Sequence, residues 1–185
     1  ITDKCGQQLE VTKHTLRKPK IIIYNVSEDL ELENASAVII DQNPELKLNE
    51  EDIVAKYKFK TKWGKHNLVI EVGPQARKKI LQTKLKIGWE ICAVDDYLVA
   101  TRCYNCSRFN HKHNVCQGEE TCPLCAGKHK LKECTAQTTE HKCINCIVYN
   151  RYNKNEKINE NHSSLHKECP SLQAVLMKYK RNTDY

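Results

Sequence analysis

Nine of the chain's eleven cysteines lie between Cys103 and Cys169, and they recur in a pattern with histidine. The first group reads Cys103-x2-Cys106-x4-His111-x4-Cys116 and the second Cys122-x2-Cys125-x3-His129-x4-Cys134. Two thiolates on one tight turn, followed by a short loop that returns an imidazole and a third thiolate, can close a tetrahedron around one ion. Soft, thiolate-rich tetrahedra select zinc. His113 competes with His111 in the first group, but it would need an x6/x2 split, so the spacing favours His111. In the second group the middle loop is one residue shorter, and Gly127 is expected to supply the backbone freedom for the tighter turn. A third group opens with Cys143-x2-Cys146 and closes with Cys169. Its imidazole comes from His162 (x15, then x6), His166 (x19, then x2) or His141, and His162 is preferred. The intervening residues 149–161, YNRYNKNEKINEN, are almost wholly polar and predict a solvated loop.

The competing use of so many cysteines is a disulfide framework. The odd total argues against it, as does the register of three C-x2-C pairs with downstream His and Cys. Two to three structural Zn2+ ions are therefore expected. A catalytic zinc keeps a coordination position open for water, whereas each group here supplies four ligands. The H-x-E…P-C-x2-C pattern of zinc deaminases is absent, and so are the eight cross-braced ligands of a RING. No paired carboxylates accompany the zinc motifs, and Asp95-Asp96 reads as a polar turn near the end of a strand. No enzymatic activity is expected. Cys5 and Cys92 read as structural thiols.

The first group has the spacing of a retroviral-type CCHC zinc knuckle, a module that holds an unstacked base on aromatic or apolar side chains while Lys and Arg meet phosphates. In the first knuckle Tyr104 and Phe109 would form the platform, flanked by Arg108 and Lys112. In the second, Leu124 replaces the aromatic, with Lys128, Lys130 and Lys132 nearby. The competing role for Tyr104 and Phe109 is to pack a domain that has almost no core. Charge points the same way as the motifs. The chain carries a formal +7; residues 101–185 hold 14 Lys/Arg against 8 Asp/Glu, and residues 1–100 hold 16 against 15. Each filled site, three thiolates around Zn2+, returns one negative charge, so the excess is moderate.

The first hundred residues read as one α+β domain. KIIIYNV (residues 20–26) is a β-rich run; Ser27 could cap a helix carrying Leu30, Ala35, Val38 and Ile39 that Pro44 ends. AKYKFKT (residues 55–61) alternates strictly, Trp63-Gly64-Lys65 reads as a turn, and residues 68–72 form the partner strand of a hairpin. Gly73-Pro74 opens a helix with Ala76, Ile80 and Leu81 on one face, and a last strand is expected near residues 89–94. The order β-α-β-β-α-β is that of a ferredoxin-like, RRM-like sheet. The usual stacking aromatics are missing from it: Ile22 stands where one belongs, and residues 66–70 contain none. Lys56, Lys58 and Lys60 are then either phosphate contacts or a solvated face.

Several segments in this order resemble the Gag-like, nucleic-acid-binding proteins of insect non-LTR retrotransposons. They are PKIIIYNV (residues 19–26), NLVIEVGPQARKKIL (67–81) leading to IGWE (87–90), RCYNCSRFNHKHNVC (102–116) and NHSSLHKECP (161–170). The early histidine of the last segment supports His162 as the ligand. Ser107 and Asn110 depart from the pattern, standing where such knuckles often have Gly. The resemblance implies a protein that coats its element's RNA, self-associates into a ribonucleoprotein particle and has strand-annealing activity. The organisation expected is an N-terminal extension (1–17), an RRM-like domain (18–100), knuckles at 101–117, 120–135 and 141–170, and a basic C-terminal helix or tail (171–185). Single-stranded RNA or DNA is the expected partner. The second reading is a zinc-dependent protein-interaction module adopted from such an element.

No run of 18 apolar residues and no leader pattern is visible, so no membrane partner is expected. Free thiolates for zinc imply a reducing compartment, cytoplasmic or nuclear. A chain opening on Ile1 is expected to be a fragment or a processed product.

Overall fold

The computed structural model describes residues 16–185. The expected extension lies almost entirely outside the described residues, and Cys5 with it. The chain divides into two units: the described residues through Tyr97 together with Asn182–Tyr185, and Leu98–Arg181.

The first unit is built on β1 (Lys20–Val26), whose Ile21, Ile22 and Ile23 favour a strand buried on both faces. The sheet is antiparallel with strand order β2-β3-β1-β6, where β2 is Ile53–Lys60, β3 His66–Val72 and β6 Val94–Asp96. Ile22 pairs with Val69 on one flank and with Asp95 on the other, which fixes the register. The period of two sends Ile21, Ile23, Leu68, Ile70 and Val72 to a single face. There they pack against Ala35 and Ile39 of α1 (Ala35–Gln42) and Ala76 and Ile80 of α2 (Pro74–Ile80). Pro74 at the first position suits α2, because its missing N–H would have no helical acceptor.

The opposite face carries Tyr57, Phe59 and Tyr97. Tyr57 meets Phe59 and Tyr97 at ring-centroid distances of 6.3 Å each. Aromatic side chains therefore do lie on this face: Tyr57 and Phe59 come from the edge strand β2, Tyr97 from beyond β6, and Tyr24 of β1 alternates with the core residue Ile23. Of the three lysines of β2, Lys56 pairs with Glu71, and Lys58 donates to the carbonyls of Glu28 and Leu30.

Three local expectations are corrected. Ser27 does not cap α1: its Oγ accepts the Asp29 N–H within a turn, and Asn34 stands at the helix N-terminus. The last strand is divided. β4 (Leu85–Ile87) and β5 (Glu90–Cys92) form a separate hairpin turning at Gly88, where φ is 62°, and β6 alone joins the main sheet. Asp95-Asp96 is accordingly paired strand, not a turn. Asp96 takes the Arg77 guanidinium as a fork, with Nε at 2.7 Å from Oδ1. The hairpin is fastened by Asn43, which is buried. Its Nδ2 donates to the Lys86 carbonyl at 2.9 Å, and its Oδ1 accepts the Lys86 N–H at 2.9 Å. Cys92 is buried in the same core, and burial pushes its thiol pKa up.

The second unit contains α3 (Ile144–Tyr152) and α4 (Pro170–Arg181), with short 3-10 turns and loops between them. α3 corrects the reading of residues 149–161 as a loop throughout, since the helix runs through Tyr152. Among the described residues no helix is long and apolar enough to cross a membrane.

Candidate metal centre

Three clusters could hold a metal ion: Cys103, Cys106, His111 and Cys116; Cys122, Cys125, His129 and Cys134; Cys143, Cys146, His162 and Cys169. Within each, the candidate ligand atoms lie no more than 4.8 Å from one another. A tetrahedral ion with Zn–S of about 2.3 Å and Zn–N of about 2.0 Å requires S···S edges of about 3.8 Å and S···N edges of about 3.5 Å. The third cluster has Cys143–Cys169 at 3.6 Å, Cys146–Cys169 at 3.5 Å and Cys146 Sγ to His162 Nε2 at 3.5 Å. The second has Cys125–Cys134 at 3.8 Å and Cys125 Sγ to His129 Nε2 at 3.5 Å. In the first, Cys106 Sγ lies 3.2 Å from His111 Nε2. The edges suit one ion per cluster and are far too long for S–S bonds of about 2.05 Å. All ten cysteines among the described residues are free thiols. His162 occupies the fourth corner of the third cluster. His166 is exposed, with its ring centroid 5.8 Å from that of His162. His113 and His141 belong to no cluster.

The first two centres share a backbone device. Ser107 N–H donates to the Cys103 carbonyl at 3.0 Å and Cys103 N–H to the Arg108 carbonyl at 2.8 Å. Ala126 N–H to the Cys122 carbonyl at 3.0 Å and Cys122 N–H to the Gly127 carbonyl at 2.8 Å repeat the arrangement. The residue after the second cysteine is left-handed in both, with φ of 58° at Ser107 and 61° at Ala126, and Asn110 joins them at 72°. Gly127 is thus not the residue with the unusual φ. It is glycine for want of space, because a Cβ there would stand 2.8 Å from His129 Cε1 and 3.3 Å from Cys125 Sγ.

The third centre is built differently. Ile147 takes the corresponding position, and a β-branched residue is poorly suited to left-handed backbone. Its N–H still bonds the Cys143 carbonyl at 2.9 Å, but the chain continues into α3. Asn150 then ties the far end of the insert back, exchanging hydrogen bonds with the backbone of Ile158 at 2.9 and 2.8 Å.

In each cluster one sulfur is favoured as thiolate (Cys116, Cys122 and Cys143), while burial first pushes Cys106, Cys125 and Cys146 up. At Cys116 the Asn105 amide (3.5 Å) and the Gly118 N–H (3.3 Å) push the thiol pKa down to about 6. Cys143 is pushed down to about 4, first by the Cys169 thiol and, against its burial, by the Ser164 hydroxyl at 3.5 Å; Cys169 is correspondingly pushed up.

The three centres interlock through backbone groups. Thr121 N–H donates to the Asn105 carbonyl at 2.9 Å, and Ser107 Oγ to the Thr121 carbonyl at 2.7 Å, joining the first centre to the second. Lys142 N–H to the Leu124 carbonyl (2.9 Å) and Ser164 N–H to the Pro123 carbonyl (2.7 Å) join the second to the third. Asn145 Nδ2 to the Ser107 carbonyl (3.0 Å) and Arg102 Nη1 to the Ser164 carbonyl (2.7 Å) close the triangle. Ser164 is wholly buried, and its N–H, hydroxyl and carbonyl are all engaged.

The residues expected at a nucleic-acid surface are dispersed around this block. Tyr104 is 91% exposed, so it does not pack the module. Arg108, Lys112, Lys130 and Lys132 are exposed, while Phe109 and Leu124 are half-buried. Lys128 is engaged by Glu119 at 2.7 Å, although both side chains are largely solvated. Arg102, Leu165 and the apolar face of α4 were not singled out by spacing, because their places depend on the interlock. Compared with known proteins, the chain matches no family model, no curated protein and no solved structure.

Proposed function

We propose that this protein binds single-stranded nucleic acid, with RNA as the first candidate, through the zinc-organised block of Leu98–Arg181. The observation that carries the reading is Tyr104, a ring held 91% in solvent by the two cysteines that flank it. An aromatic so exposed contributes little to packing, and a base would cover it at a gain of roughly 1–3 kcal/mol. Arg108 and Lys112 are exposed in the same module and suited to phosphates. The zinc ions are structural: each shell is complete with four protein ligands and leaves no position for substrate. On this reading the protein is not an enzyme.

The α+β unit fits the same proposal as a ferredoxin-like, RRM-like partner domain, its strand order β2-β3-β1-β6 being the one such a fold uses. The resemblance to Gag-like retrotransposon proteins extends the proposal to coating an RNA, self-association and strand annealing. A protein-binding role for the α+β unit is favoured by one observation. Trp89 is fully exposed and Ile91 72% exposed on the β4–β5 hairpin, an apolar surface suited to a second protein surface.

The test is anisotropy of a fluorescent single-stranded RNA titrated with the zinc-loaded chain at two salt concentrations, with and without chelator. Binding that weakens with salt and is lost with zinc is expected, and Tyr104→Ala should weaken it about tenfold. Absence of binding by the zinc-loaded chain overturns the proposal. Salt-sensitive binding that survives chelation would move it to the α+β unit.

A further inference from the structure

Phe109 belongs by sequence to the first zinc module, yet its half-buried ring lines a pocket completed by residues far along the chain. Leu165 comes from the third module and Leu172 and Leu176 from α4, with Ala100 from the segment before Cys103. The pocket encloses about 420 Å³. That is near the lower end of the roughly 300–1,000 Å³ typical of small-ligand sites and ample for one planar ring system. Its walls are mainly hydrocarbon, and the only charged residues lining it are Arg102 and Lys167. Arg102 spends one N–H on the Ser164 carbonyl, which leaves other guanidinium donors available. Lys167 is exposed, Arg108 adjoins Phe109 in solvent, and no carboxylate lines the wall.

An apolar pocket with an aromatic wall, whose only charged lining residues are Arg102 and Lys167, suits a ligand that is a planar ring attached to an anionic backbone. We propose that this composite pocket receives one unstacked nucleobase of a single-stranded RNA, with the flanking phosphates on Lys167 and Arg102. The inference rests on the nucleic-acid reading above and deepens it: the base sits between the first and third modules, apart from the exposed face of Tyr104. The pocket exists only while both centres are folded, because Ser164, one residue before Leu165, is held by Arg102 and by the Cys143 sulfur. Removal of the third zinc should therefore weaken binding even if the first module keeps its ion.

The test uses the full zinc-loaded chain and a fluorescein-labelled single-stranded RNA carrying 4-thiouridine. Irradiation of the wild-type complex should attach the RNA to peptides spanning residues 98–109 and 163–176. Leu165→Asp, at a position 42% exposed, should weaken binding about tenfold while Leu165→Met retains it. Lys167→Gln should lower the slope of log affinity against log salt by about 0.7, as for loss of one single-strand phosphate contact. Zinc content per chain is measured for each variant, and the wild-type cross-links decide the matter if Leu165→Asp loses metal. Wild-type binding with cross-links elsewhere overturns this inference and leaves the broader reading standing. No wild-type binding removes both. If a leucine-bearing peptide binds the wild type, fails to bind Leu165→Asp and leaves RNA affinity unchanged, the pocket belongs to a protein ligand and the inference fails.

Discussion

The two units of this chain hold themselves together by different means. In the α+β unit the buried side chains are mainly Ile, Val, Leu and Ala, joined by Cys92, Asn43 and Asn67, with Ile21, Ile23, Ile39, Leu68 and Ile70 fully withdrawn from solvent. Between Leu98 and Arg181 no aliphatic or aromatic side chain is buried; the buried residues are cysteines, with Ser107 and Ser164. One unit is stabilised by transfer of hydrocarbon out of water; the other has no such core and offers three sets of four metal ligands in its place. Eighty-odd residues with so little buried apolar surface are too few to hold a fold without such a staple.

The largest expected effect follows from that contrast. Chelation should unfold the second unit outright, since structural zinc contributes roughly 10–16 kcal/mol of apparent binding energy in isolated fingers. The α+β unit should survive it. Tryptophan emission is a poor reporter, because Trp63 and Trp89 are 77% and 103% exposed. Amide hydrogen exchange by NMR should show slow amides retained in β1 and β3 and lost at Ser107, Ala126 and Ile147. Loss of protection in both units together would break the comparison. The converse experiment is Ile23→Ala, expected to cost the first unit about 2–5 kcal/mol while zinc stoichiometry stays at three per chain.

What could be read from sequence divides along the same line. β1, the β2–β3 hairpin and α2 follow from local patterns of apolar residues, Gly and Pro, and the first two ligand sets follow from short spacings. α3 was not legible, because INCIVYNRY has no clear apolar stripe; the helix is held by Cys146 in the third cluster and by the Asn150 bonds to Ile158. The interlock was not legible either. It runs through carbonyls of Pro123, Leu124, Ser107 and Ser164, and a backbone acceptor leaves no signature in residue type. The role of Gly127 was not legible for a related reason, the positive φ falling on Ala126 instead. A glycine in a short loop suggests freedom of φ, whereas here it answers a shortage of room beside His129.

A smaller effect sharpens the account of the metal shells. In the folded module Asn105 and then Gly118 push the Cys116 thiol down to about 6, so at neutral pH a proton is a weak competitor for zinc at this sulfur. The stabilisation of this thiolate is fully present above its ordinary value of 9.0 and is lost as pH falls through about 6. Asn105→Ala raises the folded value toward the ordinary one. Zinc must then compete with a proton between those limits, so affinity at the first centre should fall more steeply with acid in the variant. At pH 7 the loss should lie within the roughly 10–100-fold range known for outer-shell substitutions. Competition with a chromogenic chelator across that pH range measures it, and equal slopes for wild type and variant would remove Asn105 from the shell.

The smallest effect sets the first two centres against the third at one position of the motif. The residue after the second cysteine is left-handed at Ala126, where a Cβ costs roughly 1–2 kcal/mol, and helical at Ile147. Glycine also gains more freedom on unfolding, by roughly 0.5–1 kcal/mol, which offsets part of the relief. Ala126→Gly should therefore stabilise the zinc-loaded block by somewhat under about 1 kcal/mol. Ile147→Gly should destabilise it by about 1 kcal/mol or more, since it removes a helix former and a half-buried side chain. Denaturant midpoints at saturating zinc give both signs in one experiment. Ser107→Gly is the harder comparison, because the relief at φ 58° is set against loss of the Ser107 Oγ bond to Thr121. That bond is worth about 1 kcal/mol and also joins the first two centres, so its variant should fall near zero in stability while loosening the contact between them.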